Sequence, residues 1–387
     1  LSVSGFVDLG SMAAERYNLL GMNLQELVTF AEGIGERRYR GQQLFDWLYS
    51  KGAERFGGMT NLGREFRQRL EGRATIEGVH LLDRQTSSVD GTTKFLFGLS
   101  DGLRIETVLI PPAVSFQNRE AEQEEEQKRL TLCVSTQVGC PLDCAFCATG
   151  TMGFSRNLSA GEILDQVRQV KHLTGRALTN VVFMGMGEPL LNYREVMRAT
   201  DILSTGMKIA ARRITVSTAG WAEGIRLMAD EQRKLKLAVS LHSAVEETRR
   251  SLMPVSRRYP LERLREALQH YYACVGLRVT YEVVFFDGIN DTDAEVNRLV
   301  KFARGVPSKI NVIPFHPIAF PGAPERVSRL RASPRQDEIV DRLRALHLTV
   351  MVRSSAGEEI DAACGQLAVR ADEYPGAGSS EKLAARA

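Results

Sequence analysis

Apolar positions recur at helical spacing from Asn23 to about residue 82 of this 387-residue chain. Asn23, with Glu26 three residues later, is a capping-box signature, and Leu27, Phe30 and Ala31 then fall on one face. "GQQLFDWLY" repeats the spacing at Leu44, Trp47 and Leu48, and "LGREFRQRL" continues it while carrying basic residues. Residues 23–82 are therefore expected to form a helical accessory module behind a flexible N-terminus, 1–22. Over 83–129 the period drops to two. "TTKFLFGLSDGLRIETVLIP" alternates and holds "SDG", a hairpin signal, ahead of an acidic insertion at 119–129.

From 130 to 370 apolar runs alternate with helical stretches. The runs "LTLCVST", "NVVFM", "RITVS", "KLAVSL", "RVTYEVVF", "KINVIPF" and "LTVMV" read as strands. Helices are expected at about 160–174, 193–205, 220–230, 261–274, 292–304 and 334–346, the first opened by a Ser159–Glu162 capping box. Such alternation predicts an α/β fold of parallel strands with right-handed crossovers. Six or seven units predict a full or partial α/β barrel, with functional residues at the C-terminal ends of its strands. The Gly/Ser-rich tail, 371–387, is expected to be disordered.

Composition adds a real core and no membrane. Hydrophobic residues make up 43% and charged residues 25%, as in a globular protein. No window approaches the ~20 apolar residues that span a bilayer. The first residues lack a signal-peptide pattern, so a cytoplasmic location is expected. The net charge of +3 hides basic stretches, because "REAEQEEEQKR" offsets "ERRYRGQQ", "REFRQRLEGR", "AARRI", "RRSLMPVSRRYP" and "APERVSRLRASPR". Taken singly, each basic stretch reads as a solvated face with ion pairs. Together they offer phosphate-binding surface.

The chemistry sits in "TLCVSTQVGCPLDCAFCATG", where four of six cysteines fall between positions 133 and 147. Such crowding is unlike a secreted disulfide framework and points to metal or thiol chemistry. Cys140, Cys144 and Cys147 follow C-x3-C-x2-C on a loop after the first strand of the alternating region. Three thiolates on a four-iron, four-sulfur (4Fe-4S) cluster leave one iron open for an external ligand, a catalytic arrangement. Structural zinc, completed by Cys133 or a histidine, is the alternative, although its sites usually pair two C-x2-C units.

With Phe146 before its last cysteine, this motif resembles the radical S-adenosyl-L-methionine signature. "GFSRNLSAGEI", "FMGMGEPLLN", "TVSTAG", "AVSLHS", "INVIPFHP" and "DAACGQL" then follow in the order found in the 23S rRNA/tRNA adenine-C2 methyltransferases. The resemblance covers about residues 22–370. It implies that Cys140, Cys144 and Cys147 ligate the cluster and that S-adenosyl-L-methionine binds its open iron. The matching cofactor contacts are Gly187, Glu188, Ser217, Ser240, Leu241, His242 and Asn311.

The resemblance also implies a route to an unreactive atom. C2 of adenine lies in an electron-poor ring and cannot displace a methyl group from a sulfonium. Cys364, in "DAACGQL", would first take a methyl group as a thiolate. A 5′-deoxyadenosyl radical from a second cofactor molecule would activate that methyl group for addition to C2. Cys133 would then attack the Cys364 sulfur, forming a disulfide and releasing the methylated base. Glu106, in "RIETVLIP", matches a proton acceptor. Cys274 matches no motif and is expected in the core. The implied partners are 23S rRNA, tRNA, and an electron donor such as flavodoxin or ferredoxin. A related branch methylates C8 of the same adenosine. A rival from another class is a non-catalytic, zinc-stabilised RNA-binding protein. In either case Arg37, Arg38, Arg40, Arg64, Arg67 and Arg69 are expected to grip RNA backbone.

Overall fold

The structure is a computed structural model and describes residues 16–112, 129–318, 324–353 and 355–368. The expected acidic hairpin tip up to residue 128, the residues before 16 and the tail 371–387 lie outside the described residues.

The helical module begins with β1 (Tyr17–Asn18), followed by α1 (Leu24–Gly33). Asn23 caps α1 as expected: its side chain accepts from Glu26 N–H at 3.0 Å, while the Glu26 carboxylate accepts from Asn23 N–H at 2.9 Å. The buried face is Leu27, Val28 and Ala31. Phe30 turns aside to meet the Tyr17 ring edge-on. α2 (Tyr39–Phe45) runs into a π-helical turn, and α3 (Arg64–Arg73) leads to β2 (Ala74–Thr75), which pairs with β1 in parallel. Gly41 permits the close approach of α1 and α2, since a Cβ there would lie 2.4 Å from Val28 Cα.

After the module the chain forms three antiparallel strands, β3 (His80–Thr86), β4 (Thr93–Gly98) and β5 (Arg104–Ile110). The "SDG" turn joins the last two. β3 is the strand that the alternation in "HLLDRQT" does not signal, because it is an exposed edge with little apolar face to bury.

The expected alternating strands follow as β6 (Thr131–Cys133), β9 (Asn180–Phe183), β10 (Ile214–Thr218), β11 (Lys236–Ser240), β12 (Val279–Val283), β13 (Ser308–Val312) and β14 (Val350–Val352). Between β6 and β9, β7 (Gln137–Gly139) and β8 (Phe154–Asn157) pair as a small antiparallel ribbon. The seven alternating strands are parallel neighbours in that order, and β5 adds to β6 antiparallel, giving one ten-stranded sheet from β14 to β3. The hairpin is thus an extension of the main sheet. The end strands β3 and β14 are not paired with each other among the described residues, so the barrel is partial. The helices of this region are α4 (Ala148–Thr151), α5 (Ala160–Thr174), α6 (Tyr193–Thr205), α7 (Ala222–Asp230), α8 (Glu246–Leu252), α9 (Leu261–Val275), α10 (Asp293–Ala303), α11 (Glu325–Ser328) and α12 (Gln336–Ala345). Ser159 and Glu162 close the expected capping box on α5.

The core lies between strands and helices, with Phe183, Val216, Leu237 and Tyr281 fully buried. Burying each such side chain is worth roughly 1.5–3 kcal/mol, and a charge in place of Val216 would break the layer. The helical module is seated on α5. A Cβ at Gly21 would lie 2.6 Å from Gly161 N, so the two glycines let the backbones touch. Asp165 accepts from Val79 N–H at 2.7 Å, and Arg168 donates to Ala53 O at 3.1 Å. Among the described residues no helix is long and apolar enough to cross a membrane.

Candidate active site

The cysteine loop leaves β7 through Gly139, at φ 73°, where a Cβ would collide with Gly153 O at 1.9 Å. The same carbonyl accepts from Cys140 N–H at 2.8 Å, fixing the loop's first ligand candidate. Cys140, Cys144 and Cys147 together line one wall of a cleft with about 840 Å³ of empty space. Burial, and then the Cys147 thiol, push the Cys140 thiol up to about 12, and burial with both neighbouring thiols raises Cys144 well above the ordinary range. Burial raises Cys147 as well. Three thiols this close and this buried ionise together only against a strong positive charge.

That donor set fits an iron–sulfur cluster facing an open cleft. A tetrahedral zinc site needs a fourth ligand, and Cys133 is turned toward a second cavity. Among the described residues no three His, Cys, Asp or Glu side chains are grouped tightly enough to hold a single ion.

The facing wall comes from strand ends. Gly187, at φ 102°, lies so close to Gln137 that a Cβ would meet its side chain at 2.5 Å, and the next N–H, of Glu188, donates to Gln137 Oε1 at 2.8 Å. Glu188 is 3% exposed; its carboxylate accepts from Ala219 N–H at 2.7 Å and Leu190 N–H at 3.1 Å. Burial pushes its carboxyl up to about 7, so a cation in the cleft has an acidic partner to ionise. Ser217 and Ser240, near the ends of β10 and β11, and His242 line the same cleft. His242 Nδ1 accepts from Val284 N–H at 3.2 Å, which places the proton of the neutral ring on Nε2. Burial and the Arg249 charge pull its pKa down to about 3, so the ring stays neutral. It leans on Phe146, centroid to centroid 4.2 Å.

Two of the expected contacts are placed differently. Leu241 is fully buried in the core and does not line the cleft, its N–H donating to Glu282 O at 3.0 Å. Asn311 does not line the cleft. Its Nδ2 donates at 2.7 Å to Oε2 of Glu282, which does line it.

Sequence reasoning missed Glu282, Arg249 and Arg353. A lone carboxylate in the apolar run "RVTYEVVF" was the available signal for Glu282. Arg249 belongs to "RRSLMPVSRRYP", which reads as a solvated basic face, yet it is wholly buried. Its Nη2 donates to Ala219 O at 2.7 Å and Ser240 O at 3.2 Å, tying together the chain after β10 and the end of β11. Arg353 follows β14 directly, the position where a barrel strand presents functional groups.

Cys133, ending β6, is 5% exposed. Cys364 lies on the loop after β14, next to Gly365 at φ 87°, and is exposed. Both line a second cavity with about 640 Å³ of empty space. Cys147, Met184, Gly185, Arg353, Cys364 and Gly365 line both spaces, so Cys364 sits on their shared wall. Glu106 lies on β5, on the sheet face of Val108, which pairs with Cys133. It lines neither space, is fully buried and lies 3.3 Å from Lys94 Nζ. Cys274 corrects the core expectation: it is exposed on α9, its sulfur 3.8 Å from His270 Nδ1. Within the module Arg37, Arg38 and Arg64 are exposed, whereas Arg69 and Arg40 pair with Glu36 and Arg67 donates to Gly57 O.

Residues 134–301 match the radical SAM superfamily, and residues 17–76 match the ribosomal RNA large subunit methyltransferase N-terminal domain. The chain is 42% identical to a probable dual-specificity RNA methyltransferase RlmN of Salinibacter ruber, over 92% of this chain and 95% of that one. It is 44% identical to the dual-specificity RNA methyltransferase RlmN of Syntrophobacter fumaroxidans, over 89% of this chain and 96% of that one. A crystal structure of a radical SAM methyltransferase from Sphaerobacter thermophilus superposes with a TM-score of 0.80 at 39% identity, covering 91% of this chain and 99% of that one. Likeness of this depth along nine-tenths of the chain, through the module and the barrel alike, makes it a member of the RlmN family within the radical SAM superfamily.

Proposed function

We propose that this chain is an S-adenosyl-L-methionine-dependent RNA methyltransferase that methylates C2 of an adenosine in 23S rRNA and of the adenosine beside the anticodon in tRNA. The observation that carries the reading is Cys364 on the wall between a three-thiol cleft and the cavity that holds Cys133. A carbon carrier at that point can face a cofactor on one side and a second thiol on the other.

Cys140, Cys144 and Cys147 would hold the cluster, with Gly187, Glu188, Ser217, Ser240 and His242 around S-adenosyl-L-methionine. Glu188 offers its carboxylate to the cofactor's ammonium, and Glu282 fixes Asn311 behind the cleft. When bound, cluster and cofactor supply the methyl group and the radical that activates it. The chain's own part is thiol chemistry. Cys364 carries the methyl carbon, and Cys133 attacks the Cys364 sulfur to free the finished base. Glu106 is the proposed acceptor of the C2 proton, with Lys94 as its charge partner. The exposed arginines of the module hold RNA backbone, and a flavodoxin- or ferredoxin-type protein delivers electrons.

Mass spectrometry of nucleosides from RNA treated with the cluster-loaded enzyme tests the reading. The expected product is 2-methyladenosine in both RNA classes. 8-Methyladenosine would move the chain to the C8 branch, and unmodified RNA with a colourless protein would favour the zinc-stabilised binder.

A further inference from the structure

Two charges at the barrel mouth, half-buried Arg353 and buried Glu282, have no part in the thiol chemistry so far. Arg353 lies directly after β14, its backbone N–H donating to Val312 O at 2.8 Å. Its Nη1 donates to Met184 Sδ at 3.6 Å, which aims the guanidinium across the wall shared by the two cavities. It shares the lining of one cavity with Cys133 and Cys364 and of the other with Glu282 and Cys364, and the charges of all three favour its protonated form. Glu282 is 4% exposed, anchored by Asn311, and lines the three-thiol cleft with Arg353. Cys133 lines only the second cavity, and Cys364 lines both.

The thiol pair needs such a cation. Cys133 is buried at the end of β6, and the charge on Cys364 opposes its ionisation. A buried thiol is inert, and a thiolate is the species that attacks sulfur. Arg353 is the neighbour whose charge works the other way.

We infer that Arg353 is a positioning residue of the release step, holding the Cys133 sulfur as a thiolate against the sulfur of alkylated Cys364. The inference rests on the two-thiol reading given above. Alkylated Cys364 carries no thiolate, so the charge of Arg353 is then divided between Glu282 and Cys133 only. The Cys133 thiolate attacks the Cys364 sulfur, and the S–S bond forms as the S–CH2 bond to the base breaks. The electron pair of the broken bond leaves with the carbon, which takes a proton from water and becomes the methyl group. Two thiols are oxidised to a disulfide while the methylene carbon is reduced. An external dithiol resets the pair.

The test uses cluster-loaded enzyme carrying Arg353→Met, Arg353→Gln or Arg353→Lys, with Cys133→Ala as control. Denaturing gels follow the covalent protein–RNA adduct, and peptide mass spectrometry follows methylated Cys364. Arg353→Met and Arg353→Gln should form methylated Cys364 yet release RNA about tenfold to a hundredfold more slowly, so that adduct accumulates. Arg353→Lys, which keeps the charge, should release most of it. A purely packing role would lower yield equally in all three and trap no RNA. Adduct with Cys133→Ala but none with a folded Arg353→Met or Arg353→Gln overturns the role of Arg353 alone. Loss of methylated Cys364 in those variants also overturns it, by placing Arg353 at an earlier step. No adduct with Cys133→Ala overturns the two-thiol reading itself.

Discussion

Asp90 Oδ2 accepts the backbone N–H of Gly357 at 2.8 Å, so the turn between β3 and β4 holds the loop that carries Cys364. Glu359 answers from the loop, accepting Ser88 N–H at 2.6 Å. Gly357, at φ 74°, presses on Thr92 so closely that a Cβ would lie 2.7 Å from its methyl carbon. The clasp ties the antiparallel extension of the main sheet to the segment that carries Cys364. Both bonds are charge-assisted, and the part-buried Asp90 bond contributes about 1 kcal/mol. Asp90→Ala combined with Glu359→Ala should therefore raise amide exchange in residues 355–368 by about tenfold. Methylation of Cys364 should slow while cluster content stays unchanged. Unaltered exchange in that loop would remove the clasp.

Cys140, Cys144 and Cys147 share one cleft wall, and the other thiol lining that cleft, Cys364, comes from the loop after β14. Replacing any one of the three by Ala should abolish cluster assembly, read as loss of the broad visible absorption and of bound iron. Cofactor cleavage should vanish with it. A single variant that keeps both colour and cleavage would show that its residue is not a ligand.

Glu188 predicts a pH dependence with a definite sign. Its carboxyl is raised from an ordinary 4.5 to about 7 by burial, so the folded protein prefers the neutral form. The stability this group contributes is full below about pH 4.5 and is lost as pH rises through about 7. Between those limits the cluster-free wild type should lose up to about 3 kcal/mol relative to Glu188→Gln, and nothing further above pH 8. Denaturant unfolding of both proteins at a series of pH values measures the difference. A difference that is flat with pH would mean that the carboxylate is already ionised in the fold.

The period of the apolar pattern located the seven parallel strands and the crossover helices, because central strands such as β9 are buried on both faces and must be apolar throughout, and even the exposed β14 keeps an apolar run. The same logic hid β3, whose exposed edge leaves no such trace. Short-range spacing revealed the cysteine trio, and the family resemblance pointed to Gly187 and Glu188 at a strand end. What stayed illegible was long-range. Arg249 reads as one arginine among several until the fold wraps it around Ala219 O and Ser240 O. Arg353 becomes notable only when β6 and the last loop bring two distant sulfurs to it. Cys274 shows the opposite failure: an apolar-looking "YYACV" lies at the end of α9, where its last turn faces solvent.

The module's arginines should divide by their present engagement. Arg37, Arg38 and Arg64 are exposed, while Arg40 and Arg69 pair with Glu36. Replacing the first three by Ala should weaken RNA binding and flatten its salt dependence, by about 0.7 to 0.9 in log–log slope for each phosphate no longer neutralised. Replacing Arg40 and Arg69 should cost module stability first. Equal effects from the two sets, in titrations at several salt concentrations, would contradict the division.

The two thiols should fail differently. Cys364→Ala removes the carbon carrier, so no methylated cysteine and no protein–RNA bond should form. Cys133→Ala leaves the carrier in place and removes the group that attacks it. RNA should then stay attached through a methylene bridge to Cys364, giving a denaturing-gel band shifted upward that collapses on nuclease digestion. Cys133 is also 5% exposed and packed on β6, so loss of its sulfur leaves a small cavity. That cost is on the order of 1 kcal/mol and lowers the melting temperature without trapping RNA. Thermal unfolding of the same samples separates the two effects. A destabilised Cys133→Ala protein with no adduct would reduce Cys133 to a packing residue, and an adduct formed by Cys364→Ala would place the carbon on another side chain. The shared wall between the two cavities predicts neither outcome.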